Sequence, residues 1–147
     1  MRKLSGKRIV EIIGPRKLFR TVTPISDSPY EEDPERVPSE HGYATLVSSM
    51  LPNGNHMPVI DLDLDCALVE SSTPGHYHLY INQEMSYGQY LNILQALTDA
   101  GVVQPGFNRF SRERGQGFVR YPGYTKEDEK RDSKAAQEAY DDAMETF

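Results

Sequence analysis

Residues 66 to 82, CALVESSTPGHYHLYIN, leave the backbone few choices. Pro74 at the second position of a turn fixes φ, and Gly75 at the third accepts the positive φ that a type II turn demands. After the turn, Tyr77, Leu79 and Ile81 fall on one face and His76, His78, Tyr80 and Asn82 on the other, because strand side chains alternate with period 2. The pattern predicts an antiparallel hairpin with an apolar face toward a core and a histidine face toward water. If Thr73 and His76 close it, Ser71 lies opposite His78 and Val69 opposite Tyr80.

The same period runs upstream. From about Pro58, Ile60, Leu62 and Leu64 alternate with Asp61, Asp63 and Asp65, which predicts a strand with one acidic face. Residues 43 to 51, YATLVSSML, have the β-branched and aromatic content of a preceding strand. The intervening Asn53-Gly54 suits the positive φ angles of a hairpin turn. Asp61 reaches His78 only if the chain reverses near Asp65 to Ala67.

Downstream, Ser86 and Gln89 have capping-box spacing, and Met85 and Tyr90 that of a hydrophobic staple. Tyr90, Leu91, Leu94 and Leu97 recur at helical intervals, and Gly101 is placed to end the helix. This predicts a helix over 86–100. FNRFSRERGQGFVRYPGY reads as a loop leading to a short strand at GFVRY, and SKAAQEAYDDAMETF as a helix with Ala136, Tyr140, Met144 and Phe147 on one side.

These elements imply an α+β fold: a small antiparallel sheet covered on one face by one main helix, with extended arms at both ends. A chain of 147 residues, 37% hydrophobic, supports one core. The organisation expected is a basic arm over 1–23, a proline-rich acidic linker over 24–42, a core over 43–124 and a charged, helix-capable tail over 125–147. In the arm, RIVEII reads equally as a short strand or a helical turn, stopped by Gly14 and Pro15.

Composition narrows the function. Mean hydropathy is -0.62, and no apolar run reaches the roughly 18 residues of a membrane span, so no membrane partner and a cytoplasmic location are expected. The lone Cys66 has no partner for an internal disulfide. Net charge is -6, yet Arg109, Arg112, Arg114 and Arg120 stand against only Glu113 within 109–120. Arginines interleaved with Phe and Tyr suit phosphate neutralisation and base stacking. There is no Gly-x-x-x-x-Gly-Lys loop and no Gly-x-Ser-x-Gly elbow.

Alternate aspartates on a strand offer hard oxygen ligands to Mg²⁺ or Mn²⁺. At about 3.3 Å per residue, adjacent alternate acids lie near 6.6 Å apart and can flank one ion, whereas Asp61 and Asp65 cannot. His78 can donate to a phosphate oxygen, with Ser71 and Ser72 assisting. The acid-x-acid run IDLDLD followed by SSTPGHYHLYI resembles the core motifs of the archaeo-eukaryotic primase and primase-polymerase superfamily. That resemblance implies metal at Asp61 and Asp63, or at Asp63 and Asp65, and nucleotide phosphate at His78. GFVRY carries Arg120 where that family has a third acid, so binding rather than primer synthesis is implied. Residues 58 to 122 are also similar to small actinobacteriophage proteins of unknown function, which implies a phage setting.

The resulting expectation is a small phage-type protein that binds nucleic acid or nucleotide phosphate through a reduced primase-like sheet face. His78, Ser71 and Ser72 would take phosphate, Arg112, Arg114 and Arg120 the nucleic-acid backbone, and Asp61 and Asp63 the metal. Any catalysis would be metal-dependent phosphoryl or nucleotidyl transfer. The alternative is a non-enzymatic accessory protein that binds a host protein or a signalling nucleotide.

Overall fold

The computed structural model describes residues 5–23 and 34–145, which divide into two compact units, Met1–Asp61 and Leu62–Phe147. Part of the expected acidic linker, residues 24–33, lies outside the described residues. The elements are α-helical and antiparallel β, an α+β fold whose strands form two small sheets.

In the first unit, α1 (Gly6–Ile13) is capped by Ser5, whose hydroxyl accepts from the Arg8 amide at 3.2 Å. Gly14, at φ 57, ends it. The Arg16 guanidinium then donates to the Ile12 and Ile13 carbonyls at 3.0 and 3.1 Å and to those of Met57 and Pro58 at 2.9 and 3.0 Å. One side chain thus closes the helix C-terminus and ties it to a segment over forty residues away.

β1 (Leu18–Thr21) is the centre of a three-stranded sheet, between β2 (Arg36–Ser39) and β3 (Leu46–Val47). Leu18 is buried on it. Pro38 stands on β2 opposite Phe19, at a sheet edge, where its missing N–H costs no ladder bond. The expected strand over 43–51 is short, and its β3 part pairs with β1. The Asn53-Gly54 turn is present: the Asn53 carboxamide accepts from the Asn55 amide at 2.9 Å, and Gly54 takes φ 87. It is closed by a single bridge, Met50 to His56.

Residues 58–65 form no strand, contrary to the alternation of their side chains. Ile60 and Leu62 are 74% and 54% exposed and only Leu64 is half-buried, so the apolar half of the pattern gains little burial to offset ordering three neighbouring carboxylates.

In the second unit, β4 (Cys66–Glu70) and β5 (Tyr77–Ile81) form the expected hairpin. Gly75 has φ 78, and the His76 amide donates to the Thr73 carbonyl at 3.1 Å. The register places Val69 opposite His78 and Ala67 opposite Tyr80, two residues from expectation. Ser71 instead donates its amide to the His76 carbonyl at 2.9 Å, so the loop is four residues long. A shift of two preserves which residues share a face. Which face is covered is reversed: Leu68, Leu79 and Tyr77 are 67%, 54% and 52% exposed, while Val69, His78 and Tyr80 are half-buried.

α2 (Tyr87–Asp99) starts with the full reciprocal capping box of Ser86 and Gln89, at 3.1 and 2.9 Å. It packs against α3 (Pro105–Arg114), which occupies sequence expected to be loop. Pro105 at the first turn, arginines in the last turn and Gly115 at φ 74 are the start and stop signals that define it. Leu94 is the buried apolar residue of this pair, beside the buried polar Asn108 and Ser111. Residues 117–121 are irregular, where a strand was expected. α4 (Lys126–Glu145) is the helix expected in the tail and is exposed from Glu129 onward. Among the described residues no helix is long and apolar enough to cross a membrane.

Candidate phosphate-binding cleft

Two Pro-Gly turns build the site. One is the hairpin turn. The other is Tyr121-Pro122-Gly123-Tyr124, where the Tyr124 amide donates to the Tyr121 carbonyl at 2.9 Å and Gly123 has φ 82. Between them lies a cleft of about 200 Å³, lined by Glu70, Ser71, Ser72 and His78 from the hairpin and by Arg120, Tyr121 and Tyr124 from the segment before α4. This segment explains why the histidine face of the hairpin is the covered one.

The polar groups are differently committed. Ser71 accepts the Thr73 amide on its hydroxyl at 3.1 Å, which leaves the hydroxyl proton to donate. Ser72 is exposed and His78 half-buried. Arg120 donates its Nε–H to the Glu129 carboxylate on α4. Tyr124 donates its hydroxyl to Asp132, one turn further along that helix. The hydrogen bond to Asp132, reinforced by desolvation and by the negative charge of Asp132 itself, pushes the Tyr124 phenol up to about 12.

Thr125 also lines the cleft and caps α4. Its hydroxyl accepts the Asp128 amide at 3.0 Å while Asp128 accepts the Thr125 amide at 3.1 Å. Those bonds, with Arg131 adding to them, hold the Asp128 carboxyl below its usual range. The first turn of α4 therefore carries its own anions, Glu127, Asp128 and Glu129, which complement the positive end of the helix.

Of the residues expected to bind phosphate or nucleic acid, Ser71, Ser72, His78 and Arg120 thus line one cleft. Arg112 does not line it. Its guanidinium donates to Asn108 at 2.9 Å, to Gln95 at 3.2 Å and to the Leu91 carbonyl at 3.3 Å, holding α3 on α2. Arg114 lies against the Phe110 ring on α3. Asp61 ends the first compact unit and Asp63 belongs to the second. Both stand in irregular chain, not on the expected strand. Among the described residues no three His, Cys, Asp or Glu side chains converge to hold an ion.

The residues not anticipated are Tyr121, Tyr124, Glu129 and Asp132. The repeat of the TPGH pattern as YPGY is the signal that marks the second turn. Compared with family models, curated proteins and solved structures, the chain matches none.

Proposed function

We propose that this cleft binds the phosphate of a nucleotide or nucleic acid. The observation that carries the reading is the convergence of His78, Ser71, Ser72 and Arg120, drawn from sequence positions some fifty residues apart, on one opening. An imidazole, two hydroxyls and a guanidinium are phosphate donors of complementary geometry, and Arg can engage two oxygens at once. Tyr121, 82% exposed beside them, offers a ring for a base to stack on. Glu129 holds Arg120 until a phosphate takes its place.

Titration of the full chain with dTMP at low salt, read by chemical-shift changes at His78 and Tyr121, tests this reading. Binding that disappears in His78→Ala and Arg120→Gln supports it, and unchanged spectra in the wild type overturn it. Mg²⁺ or Mn²⁺ assistance through Asp61 and Asp63 belongs to the reading only if Mn²⁺ raises Tm and Asp61→Asn with Asp63→Asn removes the rise.

A second reading is favoured by the apolar outer face of the hairpin, where Leu68, Leu79 and Tyr77 are more than half exposed. Such a face suits an accessory protein with a protein partner, such as a host protein. Capture of one stoichiometric host protein, lost in Leu68→Asp, would support it.

A further inference from the structure

We infer that the ligand is a single-stranded oligonucleotide, which leaves the cleft and continues onto the exposed face of α3, where Arg109, Phe110 and Arg114 receive it. This rests on the phosphate reading of the cleft and extends it from a mononucleotide to a strand.

On α3 two guanidinium carbons lie against one ring: Arg109 is 4.9 Å and Arg114 4.8 Å from the Phe110 centroid. The two cations are therefore no more than about 10 Å apart and are held in place by the same aromatic surface. They remain accessible, since the Arg109 side chain is 66% exposed and Phe110 40%. Their charge is little compensated. Arg109 meets Glu113 at 4.0 Å, and Arg114 makes no ion pair among the described residues. A guanidinium is weakly hydrated and stacks as readily as it pairs, so this triad presents two phosphate ligands and a π surface together.

Hydrogen bonds hold the platform on α2. Arg112 pins α3 to three groups on α2 and α3, and the Tyr87 hydroxyl donates to the Arg112 carbonyl at 3.3 Å. Connectivity then links it to the cleft. Arg114 and Arg120 are six residues apart, so their backbones are separated by at most about 20 Å. The connection carries Phe118, 58% exposed, and leads to Tyr121. Arginines and accessible rings thus alternate along a path that a few nucleotides span.

The test uses the full chain and four probes: fluorescein-labelled oligo(dT) and oligo(U) of about ten nucleotides, dTMP, and a polyglutamate peptide. At low salt the oligonucleotides should bind at least about tenfold tighter than dTMP. With three arginines on phosphate, log K against log salt should fall with a slope of about -2, since each single-strand contact contributes about -0.7. Arg109→Gln with Arg114→Gln should reduce that slope to about -0.7 and leave dTMP binding unchanged. Phe110→Leu should weaken the oligonucleotide about fivefold or more and likewise spare dTMP.

Equal oligo(dT) and oligo(U) affinities would show that backbone and base faces suffice, while a preference for one would assign the strand chemistry. If the double variant keeps the wild-type slope and affinity, the α3 tract is overturned and the cleft reading stands. If neither dTMP nor oligonucleotide binds the wild type, both fall. Tighter binding of a polyglutamate peptide than of either oligonucleotide, lost in the same double variant, would replace the nucleic acid with an acidic peptide and overturn the inference.

Discussion

The Tyr124 hydroxyl donates to Asp132, and the raised phenol that results has a definite pH signature. A group whose folded pKa is raised contributes stability that is complete below its unfolded value, near 10, and is lost as pH rises through about 12. Asp132→Ala should therefore bring the Tyr124 titration down toward 10, followed by its ring resonances. Asp128 has the opposite sign. Its lowered carboxyl stabilises the start of α4 above the usual carboxylate range, and that contribution is lost as pH falls through its folded pKa. On the phosphate reading of the cleft, Glu129 would compete with ligand for Arg120, so Glu129→Gln should tighten dTMP binding severalfold, and an unchanged Kd would show that the ion pair does not guard the cleft. At Gly117 an added Cβ would fall on the Tyr90 hydroxyl and lie 3.4 Å from the Phe107 ring. Gly117→Ala should cost about 1–3 kcal/mol in denaturant unfolding, as overpacking does.

Among the elements, α3 owes its position to hydrogen bonds as much as to apolar packing. Asn108 is buried, donates to Gln95 at 3.1 Å and accepts from Arg112 at 2.9 Å. Arg112→Ala leaves the Asn108 carbonyl oxygen without this donor and should cost about 1–3 kcal/mol, with amide exchange rising first in α3. A variant of unchanged exchange would show that Leu94 alone holds the pair. α2 and the hairpin turn were legible in sequence because each closes its hydrogen bonds within three or four residues: Ser86 with Gln89, Thr73 with His76. α3 escaped notice because its polar, arginine-rich sequence has little apolar periodicity, although Pro105 and Gly115 bracket it. α4 ends without a basic residue in its last turn, against the helix dipole, and without burial. Asp141→Lys with Asp142→Lys should slow amide exchange there roughly two- to fivefold.

At the scale of the whole molecule, the apolar core is thin. Leu18 is the buried apolar residue of the first unit and Leu94 that of the second, among the described residues. Leu94→Ala should destabilise by about 2–5 kcal/mol the unit that contains it. Exchange of β1 amides in the same variant reads the coupling: no change marks two independently folding units, and equal loss marks one cooperative structure. Sequence by itself determined the local devices, the caps, the Pro-Gly turns and the sets of side chains that share a face, because backbone geometry and near neighbours decide these. The tertiary structure decided which face of the hairpin is covered, left residues 58–65 without a strand and spent Arg112 on packing. It also brought His78 and Arg120 to one cleft. Period-2 alternation separates two faces without saying what lies over either, and a guanidinium's partner is set by which distant acceptor folding delivers to it.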